Sequence, residues 1–290
     1  MRRQHENRLG SIPTLSNMLM TSLTAIDTAH RYTNRISKGT SLLAETRILF
    51  REWRPGDTSR ELAERTLEND LLGRATAYRV NDIVRRGFAP RFLFPSPSPA
   101  EHLKRLVEQR PAGDWFGNLC LLYAARADVL VRDAVTVMLR RARDEGRLAL
   151  SLDAVISFLR DSEEEGKMIT PWSLETKKKV ARGLLKMLTD FGFLRHSNRG
   201  AREIRRFRPE PLAAAYLAFD LHFQGCSDTI VANHPDWRIW WLEEPAVRGI
   251  LDELSGHGLW VFQAAGSVVQ ITWNVCSMEE AVDVIAGLDL

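Results

Sequence analysis

Apolar residues recur at helical spacing along most of the chain, and short polar or Pro/Gly-rich stretches separate these repeats. Residues 41–53 place their apolar positions on one helical face, and Pro55-Gly56-Asp57 ends this predicted helix. Thr58 or Ser59 is a candidate cap for a second helix that extends to Leu72. A third helix is predicted over 75–86. The proline-rich stretch 88–99 is predicted to be a linker.

Beyond residue 100 the pattern predicts helices over 100–109, 115–127 and 128–145, followed by a short strand at 147–150. Ser151 is a candidate cap for the next helix, which frays at 163–166. A helix over 173–191 and a hairpin turning at Asn198-Arg199-Gly200 come after it. Helix, strand, helix, turn, helix and hairpin is the order of a winged helix-turn-helix.

The remaining chain alternates helical and strand patterns. Helices are predicted over 210–223, 245–254 and 278–287, and a hairpin over 259–273. The sequence therefore predicts a mainly α fold, in which an N-terminal helical bundle is followed by winged helix-turn-helix-like modules with short β-hairpins. We divide it into a flexible leader (1–30), an N-terminal helical module (31–99), a helical plus basic winged-helix module (100–209) and an acidic, Trp-rich winged-helix-like C-terminal module (210–290).

Charge is distributed very unevenly along the chain. The whole chain has a formal net charge of +3, yet 170–209 holds eleven Lys/Arg and three Asp/Glu, a local charge of +8. From Cys226 onward there are ten Asp/Glu and two Lys/Arg, a local charge of −8. A concentrated basic stretch favours contact with nucleic acid, whereas the acidic module should avoid phosphates.

Helical geometry separates two faces of the segment 173–191. The buried stripe repeats every four residues: Val180, Leu184, Leu188. Four cations lie on the opposite side: Lys178, Lys179, Arg182, Lys186. A helix of this kind can lie in a major groove, with phosphate contacts that position it and Arg182 near a guanine edge.

The flanks of the predicted hairpin carry five arginines: Arg195, Arg202, Arg205, Arg206 and Arg208. The candidate phosphate ligands of the hairpin are Arg195, Arg199, Arg202 and Arg205. If six to eight cations touch phosphate, the log–log dependence of DNA affinity on salt should have a slope of about −5 to −7. The alternative is a merely solvated basic face, or arginines that pair with the acidic C-terminal module.

The sequence contains no recognisable catalytic or metal-binding motif. The three cysteines are far apart, and no phosphate-binding glycine loop or G-x-S-x-G motif is present. The Glu175-Thr-Lys177 fragment of many nucleases falls in the first turn of a predicted helix rather than on a strand. Residues 255–278 lack charge but read as a hairpin, not a membrane span. We predict a cytoplasmic, non-enzymatic protein without cofactor or metal.

Three segments resemble the BrxA proteins, a small component of BREX bacteriophage-exclusion systems: 32–53 (YTNRISKGTSLLAETRILFREW), 64–76 (ERTLENDLLGRAT) and 172–194 (WSLETKKKVARGLLKMLTDFGFL). The resemblance covers roughly 31–275. It implies a mostly helical, non-enzymatic bacterial defence protein that binds DNA beside a methyltransferase, an ATPase and a phosphatase-like subunit. It also implies a similarity to an RNA-binding antitermination factor.

These observations together predict an accessory protein of phage defence that grips double-stranded DNA through a basic helix and wing. One alternative is an assembly scaffold whose acidic C-terminal module docks other BREX defence subunits. A second alternative is an RNA-binding, antitermination-like factor.

Overall fold

The computed structural model describes residues 31–37, 41–197, 200–266 and 268–288. The chain is mostly helical and carries two small antiparallel sheets, so the predicted mainly α class is confirmed. The predicted leader 1–30 lies outside the described residues. The division into modules stays a prediction.

The N-terminal part begins with a 3-10 turn (Asn34–Ser37), which precedes helices α1 (Leu43–Glu52), α2 (Ser59–Glu68), α3 (Ala77–Asp82), a π-helical continuation (Ile83–Phe88) and α4 (Ala89–Phe92). The Thr58 hydroxyl accepts the Glu61 amide, and the Glu61 carboxylate accepts the Thr58 amide. This reciprocal capping box fixes the start of α2 where the sequence predicts it. The helix ends at Glu68, short of the predicted Leu72.

The prediction of a linker over 88–99 is wrong in its first half. Helix continues to Phe92, and Phe88 and Phe92 are buried around Phe50, with ring centroids 5.0 and 4.8 Å from it. Pro90 lies in the first turn of α4, where proline is tolerated because that turn has no intrahelical partner for its amide. The buried aromatic rings stabilise the core through apolar area and edge-on contacts.

The middle part contains α5 (Ser98–Gln109), α6 (Trp115–Ala127), α7 (Val129–Asp133), a π-helical segment (Ala134–Leu139), α8 (Arg140–Asp144), β1 (Ala149–Leu150), α9 (Leu152–Glu164), α10 (Leu174–Asp190), β2 (Leu194–His196) and β3 (Arg202–Ile204). The strand order is β1-β3-β2, and Leu194 pairs with Ile204. The predicted order of helices, strand and hairpin is therefore present.

The C-terminal part contains α11 (Pro211–Phe223), α12 (Asp228–Asn233), a 3-10 helix (Pro235–Trp240), α13 (Glu244–Ser255), β4 (Trp260–Ala265), β5 (Val268–Trp273) and α14 (Met278–Gly287). The predicted hairpin and last helix are confirmed. Helix α12 and the 3-10 helix were not predicted, because both are only six residues long and show too little periodicity. Trp237, Trp240 and Trp260 are core side chains.

Polar contacts cross the predicted boundary at 209/210. The Glu210 carboxylate accepts the amides of Asp114 and Trp115 at 2.8 Å each, which caps the start of α6. The Arg126 guanidinium lies 2.7 Å from both the Asp220 and the Asp236 carboxylates. These contacts attach the C-terminal part to the middle of the chain.

Candidate nucleic-acid interface

Helix α10 is held by its buried face and by defined ends. The Ser173 hydroxyl accepts the Thr176 amide at the N-terminus, and Val180, Leu184 and Leu188 are fully buried as the pattern predicts. Gly192 adopts φ +87°, a left-handed conformation that suits glycine, and turns the chain into β2. The face of α10 opposite this buried stripe is exposed to solvent at Lys179, Arg182 and Lys186.

Two further contacts fix the orientation of α10. The buried Lys177 ammonium lies 2.5 Å from the Glu163 carboxylate, which also accepts the Trp172 amide at 2.8 Å. The hydrogen bond from Lys177 holds the pKa of Glu163 below its usual value. Near the middle of the helix, a Cβ on Gly183 would lie 3.1 Å from the Ile36 carbonyl oxygen, so the 3-10 turn approaches α10 closely. The Lys177 of the E-x-K fragment is therefore part of the interhelical packing.

The four cations predicted on α10 fall into two classes. Lys179 and Arg182 are exposed and make no ion pair with any described residue. Lys178 lies 2.9 Å from the Glu175 carboxylate, and Lys186 lies 2.6 Å from Asp190. Only the first two therefore present an uncompensated charge.

The hairpin arginines divide in the same way. Arg195 pairs with Glu203 at 2.6 Å across β2 and β3, whereas Arg205 is exposed without an ion pair to any residue that the structure describes. The Arg202 guanidinium turns inward, where it donates to the Leu185 carbonyl and, at 2.6 Å, to the Thr189 hydroxyl. Burial lowers the pKa of Arg202. Arg199 lies outside the described residues.

Arg206 is a further exposed cation that the candidate set omits. It makes no ion pair within the described part of the chain and follows Arg205 directly. The sequence already places Arg206 on the flank of the predicted hairpin, beside the candidate Arg205. The uncompensated cations of this surface are therefore Lys179, Arg182, Arg205 and Arg206.

The acidic C-terminal charge is partly used inside the molecule. Among the carboxylates from Cys226 onward, four face arginines from earlier in the chain: Asp236 with Arg126, Glu243 with Arg140, Glu253 with Arg208, and Asp283 with Arg105. The acidic module is thus compensated mainly by arginines outside the basic stretch 170–209. Of these four arginines, only Arg208 belongs to the basic stretch.

Neither metal coordination nor membrane crossing is indicated by the described residues. Among them, no group of three or more His, Cys, Asp or Glu side chains is placed to hold a metal ion. No helix in the ranges that the structure describes is long and apolar enough to cross a bilayer.

The comparisons with known proteins connect this geometry to a family. A solved structure, an uncharacterised protein from Magnetospirillum magneticum, is similar with a TM-score of 0.53 at 19% identity, over 67% of this chain and 95% of that chain. This likeness shows the fold alone. No curated protein matches.

A family model described as BrxA matches residues 30–220, which is less than the 31–275 suggested by the sequence resemblance. The matched range contains the N-terminal helices, α10 and the basic hairpin, and it ends within α11. The match covers well over half of the chain. The chain therefore belongs to the BrxA family, and this membership implies a role in BREX phage defence.

Proposed function

We propose that this protein binds double-stranded DNA with little sequence preference, as a non-enzymatic, cytoplasmic accessory of BREX phage defence. The observation that carries the proposal is the solvent face of α10, where Lys179 and Arg182 are exposed and unpaired among the described residues. Unpaired cations on one helix face attract phosphate and release its counterions.

The winged-helix interpretation is supported by the order of the elements. Helices α7 to α8 precede β1, α9 and α10 follow, and the hairpin β2–β3 pairs with β1 through β3. In proteins of this kind the second helix of the helix-turn-helix lies in the major groove, and the hairpin follows the neighbouring backbone. Helix α10 and the hairpin have the corresponding positions.

We assign unequal roles to the candidate residues. Lys179 and Arg182 contact the duplex from the helix, and Arg205 contacts its backbone from the end of the hairpin. Three further cations contact phosphate only after their intramolecular ion pairs break: Lys178, Lys186 and Arg195.

Arg202 has a different role in this proposal. It positions the hairpin against α10 through the Leu185 carbonyl and the Thr189 hydroxyl. Arg199 remains a candidate phosphate ligand at the hairpin turn.

The test is charge reversal on the face of α10. Lys179→Glu combined with Arg182→Glu should abolish binding of a 30-base-pair duplex, measured by fluorescence anisotropy, without changing the thermal unfolding midpoint. The matched control is Arg51→Glu combined with Arg54→Glu, because both arginines are exposed, make no ion pair with a described residue, and give the same change in net charge. Equal losses in both double variants would refute a local interface on α10.

The second candidate function is a scaffold for other BREX defence subunits, docked through the acidic C-terminal module. Most of that module, residues 221–290, lies beyond the family match, which favours a separate role for it. The ion pairs of Asp236, Glu243, Glu253 and Asp283 reduce the charge that remains for a partner. Binding that ignores salt, with co-purification of a defence subunit, would favour the scaffold.

RNA binding is the third candidate. It rests on the same cations, since phosphate contacts alone do not distinguish the two nucleic acids. Preference for a structured RNA over the duplex in a competition experiment would favour this candidate.

A further inference from the structure

A cavity of about 470 Å³ lies beside the C-terminal end of α10, between α1, the start of α6 and the chain that leaves the hairpin. Its volume falls within the range of sites for small ligands, about 300–1,000 Å³. Three arginines line it, Arg47 from α1 and Arg206 and Arg208 from the segment after β3. The cavity is thus formed by parts of the chain that are distant in sequence.

The arginines of this cavity are poorly compensated. The Arg47 guanidinium donates to the Pro111 carbonyl at 2.5 Å and lies 4.1 Å from the Phe116 ring centroid, without an ion pair to any described carboxylate. Arg206 makes no ion pair in the described ranges, and Arg208 has only the exposed Glu253 at 3.1 Å. Burial lowers the pKa of Arg47. A partly buried cation without a counter-ion favours an anionic ligand.

The carboxylates that share the cavity are largely satisfied. Glu210 accepts two backbone amides at the start of α6. Asp190 accepts the Ser41 hydroxyl and lies 2.6 Å from the Lys186 ammonium. Asp114 is exposed at the rim. The arginines and carboxylates of the lining are equal in number, but Glu210 is committed to backbone amides and Asp190 to Lys186. Neither carboxylate engages an arginine of the cavity, so guanidinium donors remain for an anionic ligand.

We propose that this cavity binds a phosphate monoester of about nucleotide size. The planar guanidinium groups match the oxygens of a phosphate, and two or three of them can share one dianion. The phosphate can belong to a free nucleotide or to the 5′ end of a nucleic-acid strand. This site does not depend on groove binding by α10 and goes beyond the proposed function.

The experiment measures binding of the probe dAMP to the full chain by isothermal titration calorimetry in phosphate-free buffer. We expect dAMP to bind and inorganic phosphate to compete, and deoxyadenosine, which lacks the phosphate, not to bind. Arg206→Gln should weaken dAMP binding by about tenfold or more, because a hydrogen bond to a charged group is lost. The matched control is Arg51→Gln, one turn beyond Arg47 on α1 and not part of the lining.

A second variant tests the cavity without removing charge. Gly117 lines it, and a Cβ there meets only Leu43 at 3.9 Å, so Gly117→Met should fill the space while the unfolding midpoint is kept. We expect this variant not to bind dAMP. Absence of dAMP binding by the wild-type chain, or unchanged affinity in both variants, would overturn the proposal.

The source of the phosphate is identified with 5′-phosphorylated and 5′-hydroxyl forms of one oligonucleotide. Tighter binding of the phosphorylated form, with displacement by dAMP, assigns the site to a strand end. Equal binding of the two forms, with dAMP binding retained, assigns it to a free nucleotide. Loss of duplex binding in the Lys179/Arg182 double variant with dAMP binding intact would separate this site from the interface on α10.

Discussion

Removing the acid that holds Lys178 should strengthen DNA binding. The Glu175 carboxylate lies 2.9 Å from the Lys178 ammonium on the face proposed to meet the duplex, and this hydrogen bond lowers the pKa of Glu175. The carboxylate is therefore ionised at neutral pH and both neutralises Lys178 and repels phosphate. Glu175→Gln removes the negative charge and frees the lysine without a change of side-chain size.

The magnitude follows from the ion pairs in the structure. Of the eight candidate cations, three are exposed and unpaired among the described residues, namely Lys179, Arg182 and Arg205. Arg206, the fourth uncompensated cation, lines the cavity beside α10 and is not counted as a duplex contact. Three phosphate contacts give a salt slope of about −3, against the −5 to −7 expected if six to eight cations engage. Freeing Lys178 should make the slope more negative by about 0.9. The affinity should rise by about two- to fivefold, as expected for the release of an exposed ion pair.

The assay is anisotropy of a labelled duplex across a salt series, for the wild type, Glu175→Gln and a control. Glu64→Gln serves as the control, because Glu64 forms a comparable exposed pair with Arg60 at 2.7 Å on α2 and its replacement changes the net charge equally. If Glu175→Gln and Glu64→Gln have the same affinity and slope, the first turns of α10 do not face DNA and the reasoning is refuted.

Three predictions concern stability and reactivity. Arg65 forms two hydrogen bonds with the Asp57 carboxylate and lowers its pKa, so Asp57→Asn should reduce the free energy of unfolding at neutral pH by about 1–3 kcal/mol. Because the folded-state pKa of Asp57 is depressed, this difference should be full above about pH 4 and shrink in urea titrations at lower pH. Arg126→Met leaves two carboxylates without their counter-ion and should cost about 3–5 kcal/mol in the same titrations. Burial raises the pKa of Cys120 to about 12, so thiol reagents should modify it only after denaturation.

Local signals in the sequence predicted much of the fold. Thr58 and Ser151 cap their helices as predicted, and the last helix has the predicted bounds Met278–Gly287. The proline-rich segment failed as a linker, because burial of Phe88 and Phe92 is a tertiary effect that outweighs local composition.

The candidate site was predictable in its helix and only partly in its hairpin. The spacing of Glu175 to Lys178 and of Lys186 to Asp190 is visible in the sequence and already favours ion pairs within the helix. The inward turn of Arg202 was not predictable, because its acceptors lie 13 and 17 residues away and meet it only when the hairpin folds onto α10. The cavity beside α10 likewise depends on three distant segments.

Duplex binding as a function of salt tests the central claim most directly. Purified protein is titrated into a labelled 30-base-pair duplex across a salt series, and the anisotropy gives the dissociation constant at each salt concentration. The account predicts submicromolar binding at low salt, with a slope near −3 from about three phosphate contacts. No binding at low salt, or an affinity that does not change with salt, would contradict it.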